Sequence, residues 1–288
     1  MKVLIGVPTY SGHSFCRLEF INKLKKIKER NGADIFVVWN GERDEKTKAF
    51  DEYKEIGKLR RILNTVGERN ISLLAKKQNI IRKEFLDGGY THLLMLESDN
   101  IPPDDVIDKL SSHNAQVVSG LYFINSSQSI AKPPPEVIKQ EALEKGLPKF
   151  DMVFVIKQMP IPSVWSIFGC EIFEHSLDKT TDAVRLWSIE DYIRFQMEGK
   201  RLVPIFSSGV GCVLFDRDSI SKIPFSDKLD MEGQDKQLTD FIWFYSAFKH
   251  GIECYVDIEC LVSHKHFSGV SSLADVGKWF DPHTLQKI

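Results

Sequence analysis

Residues Leu93 to Asp105 read LLMLESDNIPPDD. The apolar run Leu93 to Leu96 has the length and bulk of a strand buried on both faces. It stops at Glu97, and Pro102 and Pro103 forbid a continued ladder. Two carboxylates, Glu97 and Asp99, therefore stand where a buried strand surfaces. In extended chain residues two apart point the same way, so both can converge on one point. An acidic strand end is a natural seat for Mg2+ or Mn2+ whose remaining ligands are phosphate oxygens. It also reads as a helix cap or a solvated turn. Acid pairs at the same spacing recur at Glu42/Asp44 and Asp257/Glu259, so spacing alone decides nothing.

Position decides more. Val3 to Tyr10 is an apolar strand ending in Pro-Thr-Tyr, and a helical pattern runs from Ser14 to Asn31-Gly32. Ile35 to Trp39 is a second strand closed by Asn40-Gly41, Glu45 to Ile56 a helix, and Arg61 to Thr65 a third, shorter strand. Ile71, Leu74, Gln78, Ile81 and Phe85 step by three and four along a helix that Gly88-Gly89 ends. Leu93 to Leu96 is then the fourth strand and Val117 to Phe123 the fifth. Strands alternating with helices predict an α/β fold, a mostly parallel, Rossmann-like sheet with helices on both faces. Ligands of such sheets sit beyond the carboxyl ends of the strands, here at Pro8-Thr9-Tyr10, Asn40-Gly41 and Glu97-Ser98-Asp99.

The alternation fades after residue 123. Asn125 to Lys149 is polar and proline-bearing, read as a binding loop or lid with one short helix ending at Gly146. Strands are expected over Phe150 to Lys157, Arg201 to Phe206, Gly211 to Phe215 and Glu253 to Ile258. Helices are expected over Ser188 to Met197 and Lys236 to Lys249. The aromatic residues of the last, Phe241, Trp243, Phe244, Tyr245 and Phe248, lie on nearly every side, which marks a buried core helix more than a sugar-stacking face. The mixed α+β second half (124–288) is expected to complete one domain with the first (1–123).

Composition excludes several classes. A net charge of -2 over 288 residues, with acids and bases interspersed, speaks against a nucleic-acid partner. Five scattered cysteines form no C-x-x-C pair, so neither a zinc knuckle nor a disulfide framework is indicated. No apolar run reaches the roughly 18 residues of a spanning helix, and MKVLIGVPTY enters a strand without signal-peptide layout. The chain reads as soluble and cytoplasmic, with peripheral membrane contact left open.

The motifs fall in a recognisable order: Val7-Pro8-Thr9-Tyr10; Lys77-Gln78-Asn79 before the acidic strand; Glu97-Ser98-Asp99 followed by Ile101-Pro102-Pro103; and Gly120-Leu121-Tyr122. Gly209-Val210-Gly211 in a strand, Gly233-Gln234-Asp235-Lys236-Gln237-Leu238, and His264 seven residues after Asp257 complete the set. This set resembles the GT-A-fold nucleotide-sugar glycosyltransferases, especially the large family-2-type group. The resemblance spans most of the chain and lapses over residues 124–200. Three positions depart from the family pattern: Gln78 stands for an arginine, Glu97 for the first aspartate of the D-x-D motif, and Gln234 for a glutamate.

The resemblance implies a metal-dependent, inverting transfer of one sugar from a nucleoside-diphosphate sugar to a hydroxyl of a glycan, protein or lipid. It implies a divalent cation, Mn2+ or Mg2+, at Asp99, with Glu97 nearer the nucleotide or acting through water, and His264 as third ligand. His266 is a weaker candidate. Pro8, Thr9, Tyr10, Asn40 and Gly41 would line the nucleotide pocket with Lys77, Asn79 and Ser98, and Lys77 or Arg69 would approach the diphosphate. Asp235 would be the general base, a position that also reads as a plain N-cap. Two other readings stay open: a sugar-phosphate nucleotidyltransferase, against which stands the lack of a lysine-bearing glycine loop in PTYSGHSF, and a non-catalytic sugar-nucleotide or glycan-binding protein.

Overall fold

The computed structural model describes residues 1–40, 46–63, 67–132, 153–167, 184–187, 189–228, 239–266 and 269–271. Strand β1 (Val3–Tyr10) is buried along all but its last residue. A 3₁₀ turn (Ser11–Phe15) leads into helix α1 (Arg17–Asn31), then come β2 (Asp34–Asn40), α2 (Lys46–Ile56) and β3 (Lys58–Ile62). Helix α3 (Asn70–Asp87) precedes β4 (His92–Leu96), the two-residue β5 (Asn100–Ile101) and α4 (Val106–Ser111). The long β6 (Val117–Lys132) is followed by β7 (Val153–Pro162), β8 (Val164–Ile167), β9 (Val184–Leu186) and helix α5 (Ile189–Met197). The chain continues through β10 (Leu202–Ile205), β11 (Ser207–Ser208), β12 (Cys212–Asp216), α6 (Arg217–Lys222), α7 (Thr239–Lys249), β13 (Cys254–His266) and β14 (Gly269–Ser271).

The main sheet runs β10-β13-β6-β12-β4-β1-β2-β3. Strands β1 to β4 are mutually parallel where they pair, as the alternation predicts. Strand β12 lies antiparallel between β4 and β6 and so joins the two halves of the sheet. Its register sets Cys212 opposite Leu96, which brings Gly209-Val210-Gly211 beside the acidic end of β4. The fold is a mixed α/β fold of the GT-A, Rossmann-like kind.

Side-chain alternation divides the core between the two faces. Ile5, Val7, Leu94 and Leu96 pack toward Phe20, Leu24 and Ile27 of α1. Leu4, Leu93 and Met95 pack toward Ile81 and Phe85 of α3 and Trp243 and Phe244 of α7. Trp243, Phe244 and Tyr245 are buried as expected of a core helix, with Trp243 Nε1–H donated to the Ile223 carbonyl at 3.1 Å, whereas Phe248 at the end of the helix is exposed. Cys16, Cys212, Cys254 and Cys260 are free, buried thiols, and Cys170 lies outside the described residues. Among the described residues no helix is long and apolar enough to cross a membrane.

Two expectations change. The third strand is Lys58–Ile62, three residues earlier than its sequence pattern suggests, because pairing with Phe36 to Asn40 of β2 sets its limits at a mostly exposed edge. The polar stretch 125–132 is no loop. It extends β6, paired antiparallel with β7 from Phe123 opposite Pro162 to Lys132 opposite Val153. Ladder hydrogen bonds to a partner some thirty residues on override weak strand propensity. The expected helix ending at Gly146 lies outside the described residues.

Candidate functional site

The carboxyl ends of β1, β2 and β4 open on a cavity of about 300 Å³ lined by Pro8, Tyr10, His13, Asn40, Lys77, Glu97 and Asp99 among others. Strand alternation selects the lining. Pro8 and Tyr10 face it, while Thr9 is buried with its Oγ1 2.6 Å from Ser98 Oγ. Glu97 and Asp99 both face it, while Ser98 is turned away and fully buried. Thr9 and Ser98 therefore support the site from behind rather than touching its contents.

The two carboxylates are in different states. Burial acts to raise the pKa of Asp99, but a hydrogen bond from His264 and the charges of His13 and His264 outweigh it and hold the group below the usual carboxylate range. Burial, then Asp99 and Asp240, hold Glu97 well above that range, with Lys77 pulling the other way. Asp99 is the ionised partner.

Two imidazoles meet Asp99 Oδ2: His13 Nε2 at 3.4 Å and His264 Nε2 at 3.5 Å. His13 was not among the residues expected from sequence. Its signal was only a histidine three residues past a strand end, and the 3₁₀ turn is what folds it back over Asp99. Its Nδ1 is 2.6 Å from Ser98 Oγ, which orients the ring. Burial keeps His13 below the usual imidazole range despite the pull of Asp99. Among the described residues the buried His264 Nδ1 has no hydrogen-bond partner. His264 arrives on β13, whose pairing with β5 sets it opposite Asn100. Asp99 is fixed by its own backbone, its carbonyl accepting the Lys265 N–H at 2.7 Å.

This donor set fits a divalent cation. One carboxylate and two imidazoles converge on one point, with a hydroxyl behind one ring, as metal-ligating histidines require. Ligands ~2.1 Å from a shared ion stand roughly 3 Å or slightly more apart, close to the separations seen. Among the described residues no three His, Cys, Asp or Glu side chains form a ready-made cage.

Lys77 supplies the cation the protein itself carries. It is buried on α3, donating to Asn40 Oδ1 at 2.8 Å and to the Thr9 carbonyl at 3.2 Å. Burial lowers its pKa to about 8, with Glu97 opposing. It remains an ammonium at pH 7, held over the cavity beside the Tyr10 ring.

Other expected residues fall elsewhere. Asn79 is not at the cavity: its amide is engaged with the backbone of Phe225, donating to the carbonyl at 2.7 Å and accepting the N–H at 2.9 Å. One step along α3 from Lys77-Gln78, it faces α6 and the segment after it. Arg69 pairs with Asp227 at 3.3 Å. His266 lies beyond His264, ring centroids 5.9 Å apart. Gly41 and Asp235 lie outside the described residues.

The glycines beside the site are there for space. A Cβ on Gly209 would stand 1.7 Å from the Tyr122 hydroxyl, and one on Gly211 would stand 2.5 Å from Asn100 Nδ2. Gly211 also accepts the Glu97 N–H at 3.0 Å. Gly211→Ala is therefore expected to displace Asn100 and the Glu97–Asp99 turn and to cost about 1–3 kcal/mol by overpacking. Urea unfolding of the variant measures it.

No protein-family model matches this chain, and no curated protein does. Among solved structures it is similar to A197 from STIV, at 14% identity and a TM-score of 0.43, over 92% of this chain and 86% of that one. It is similar also to S. aureus TarS, at 20% identity and a TM-score of 0.33, over 42% of this chain and 21% of that one. A shorter TarS form in complex with UDP-GlcNAc gives 20% identity and a TM-score of 0.32, over 42% of this chain and 34% of that one. This chain thus matches only about a fifth of full TarS.

Proposed function

We propose that this protein is a metal-dependent glycosyltransferase that moves one sugar from a nucleoside-diphosphate sugar to a hydroxyl acceptor, with inversion. The observation that carries the reading is Asp99 with two imidazoles on one of its oxygens, beside a buried lysine in the same cavity. Mn2+ or Mg2+ held by Asp99, His264 and His13 would neutralise charge building on the leaving diphosphate. Lys77 adds a second positive charge to that group, and Asn40 fixes its ammonium. Tyr10, the exposed end of β1, offers a ring face to the base. Glu97, whose burial favours the protonated form, can in that form donate a hydrogen bond where an ionised carboxylate would repel the phosphates.

Asp235 is assigned as the base. The acceptor oxygen bonds to the anomeric carbon as the bond from that carbon to the phosphate oxygen breaks. The hydroxyl proton passes to Asp235, and the nucleoside diphosphate departs. The acceptor is a glycan, protein or lipid hydroxyl. The test is release of nucleoside diphosphate from a panel of sugar nucleotides, with Asp235→Asn alongside. Turnover is expected to fall at least ~100-fold in the variant, the usual range for a lost base, with diphosphate affinity retained. Full turnover in Asp235→Asn would contradict the assignment.

A further inference from the structure

A second cavity, about 390 Å³, adjoins the first and shares Asn70, Leu74 and Glu97 with it. Its remaining lining brings together Gln78, Asp240, Thr239, Val210 and Ile71. Gln78 is 0% exposed, and among the described residues neither its Oε1 nor its Nε2 has a hydrogen-bond partner. A buried amide with both ends unpaired carries a desolvation cost that a ligand can relieve. Asp240 opens α7 with Oδ1 accepting the Phe241 N–H at 2.8 Å. Across the same cavity stands Glu97. Carboxyl oxygens and an amide can accept from and donate to vicinal hydroxyls, and Ile71, Leu74 and Val210 give an apolar wall for the C–H face of a ring. None of these lining residues is basic.

We propose that this second cavity receives the sugar of the donor, that Gln78 and Asp240 read its hydroxyls, and that the cavity selects an uncharged sugar over an acidic one. The inference rests on the donor reading above, since a diphosphate in the first cavity places the next group of the ligand in the second. A uronate would bring its carboxylate against Asp240, with no basic side chain in the lining to meet it.

The test is titration calorimetry with Mn2+ on wild type, Gln78→Met and Asp240→Asn. The ligands are UDP and GDP, their neutral hexose conjugates, and UDP-glucuronate. Both variants are expected to keep diphosphate affinity within about twofold and to weaken the neutral conjugate about tenfold, the cost of one lost hydrogen-bonded contact. Wild type is expected to bind UDP-glucuronate at least about tenfold more weakly than the neutral UDP-hexoses, and Asp240→Asn to narrow that gap. Gln78→Met removes an unpaired buried amide at similar volume, so its melting temperature is expected to rise. That readout separates lost recognition from a damaged fold. Equal weakening of diphosphate and conjugate, weakening of neither, or preference for the uronate overturns the proposal. If wild type binds no diphosphate at all, the donor reading itself has failed and the proposal falls with it.

Discussion

Asp257→Ala is expected to lower the unfolding free energy by about 1–3 kcal/mol, as leaving buried hydrogen-bond donors unpaired does. The Asp257 side chain is 0% exposed. It accepts from Arg201 Nη2 at 3.0 Å, lies 2.9 Å from His113 Nε2, and takes the N–H groups of Glu259 and Cys260 at 3.0 and 3.2 Å. Those two amides belong to the irregularity between Asp257 and Leu261, where the register of β13 on β6 shifts. The carboxylate thus pins a bulge that aims the rest of β13, including His264, at Asp99. Loss of cation affinity is expected to accompany the loss of stability.

The pH dependence follows with a definite sign. Burial would raise the Asp257 pKa, but hydrogen bonds from Arg201 and His113 outweigh it and hold the group below its ordinary value. Its contribution is therefore fully present above the unfolded carboxylate pKa and is lost as pH falls through the folded one. Asp257→Asn is expected to flatten that acid limb in denaturant titrations run from pH 6 downward to about pH 2. An unchanged acid limb would place the stabilisation elsewhere.

Lys77→Met is expected to weaken nucleoside-diphosphate binding by about 10- to 100-fold, the worth of one charge-assisted contact out of bulk water. Its apoprotein stability is expected to move differently. A lysine whose folded pKa is lowered to about 8 gives up its proton in the native state first. Wild-type stability should therefore rise between about pH 8 and pH 10.5, by at most about 3 kcal/mol, and the variant should lack that rise. Diphosphate affinity of the wild type should fall over the same interval as the ammonium is lost. Calorimetric titration at pH 7 and pH 9 measures the second effect. Equal affinities at both would remove Lys77 from the phosphate site.

How much of this was legible before the structure follows from how local each signal is. Parallel strands buried on both faces announce themselves as apolar runs, so β1, β2 and β4 were readable to within a residue or two. Stretch 125–132 was not, because its polar sequence becomes a strand only through a partner beyond residue 152. The pairing of Asp99 with His264 was readable from ordered motifs. His13 was not: it lies 85 residues from Ser98, and nothing but the 3₁₀ turn brings them together. Asn79 shows the converse failure. Membership of a motif placed it at the site, yet one residue on a helix is a rotation of about 100°, enough to face a different neighbour. Gln78 was read as one step of the buried stripe and as a family arginine replaced, and its unpaired amide emerged only with the structure.

The central claim is a cation-dependent diphosphate site at Asp99, and thermal unfolding tests it most directly. Wild type and Asp99→Asn would be melted with UDP, GDP and other nucleoside diphosphates, each with and without Mn2+. A ligand at about 100 times its dissociation constant adds roughly 2.7 kcal/mol, several degrees for a chain of this size. The expected result is a shift for one base, present only with Mn2+ and absent in Asp99→Asn. A shift of equal size in Asp99→Asn, or none with any diphosphate in the wild type, would contradict it.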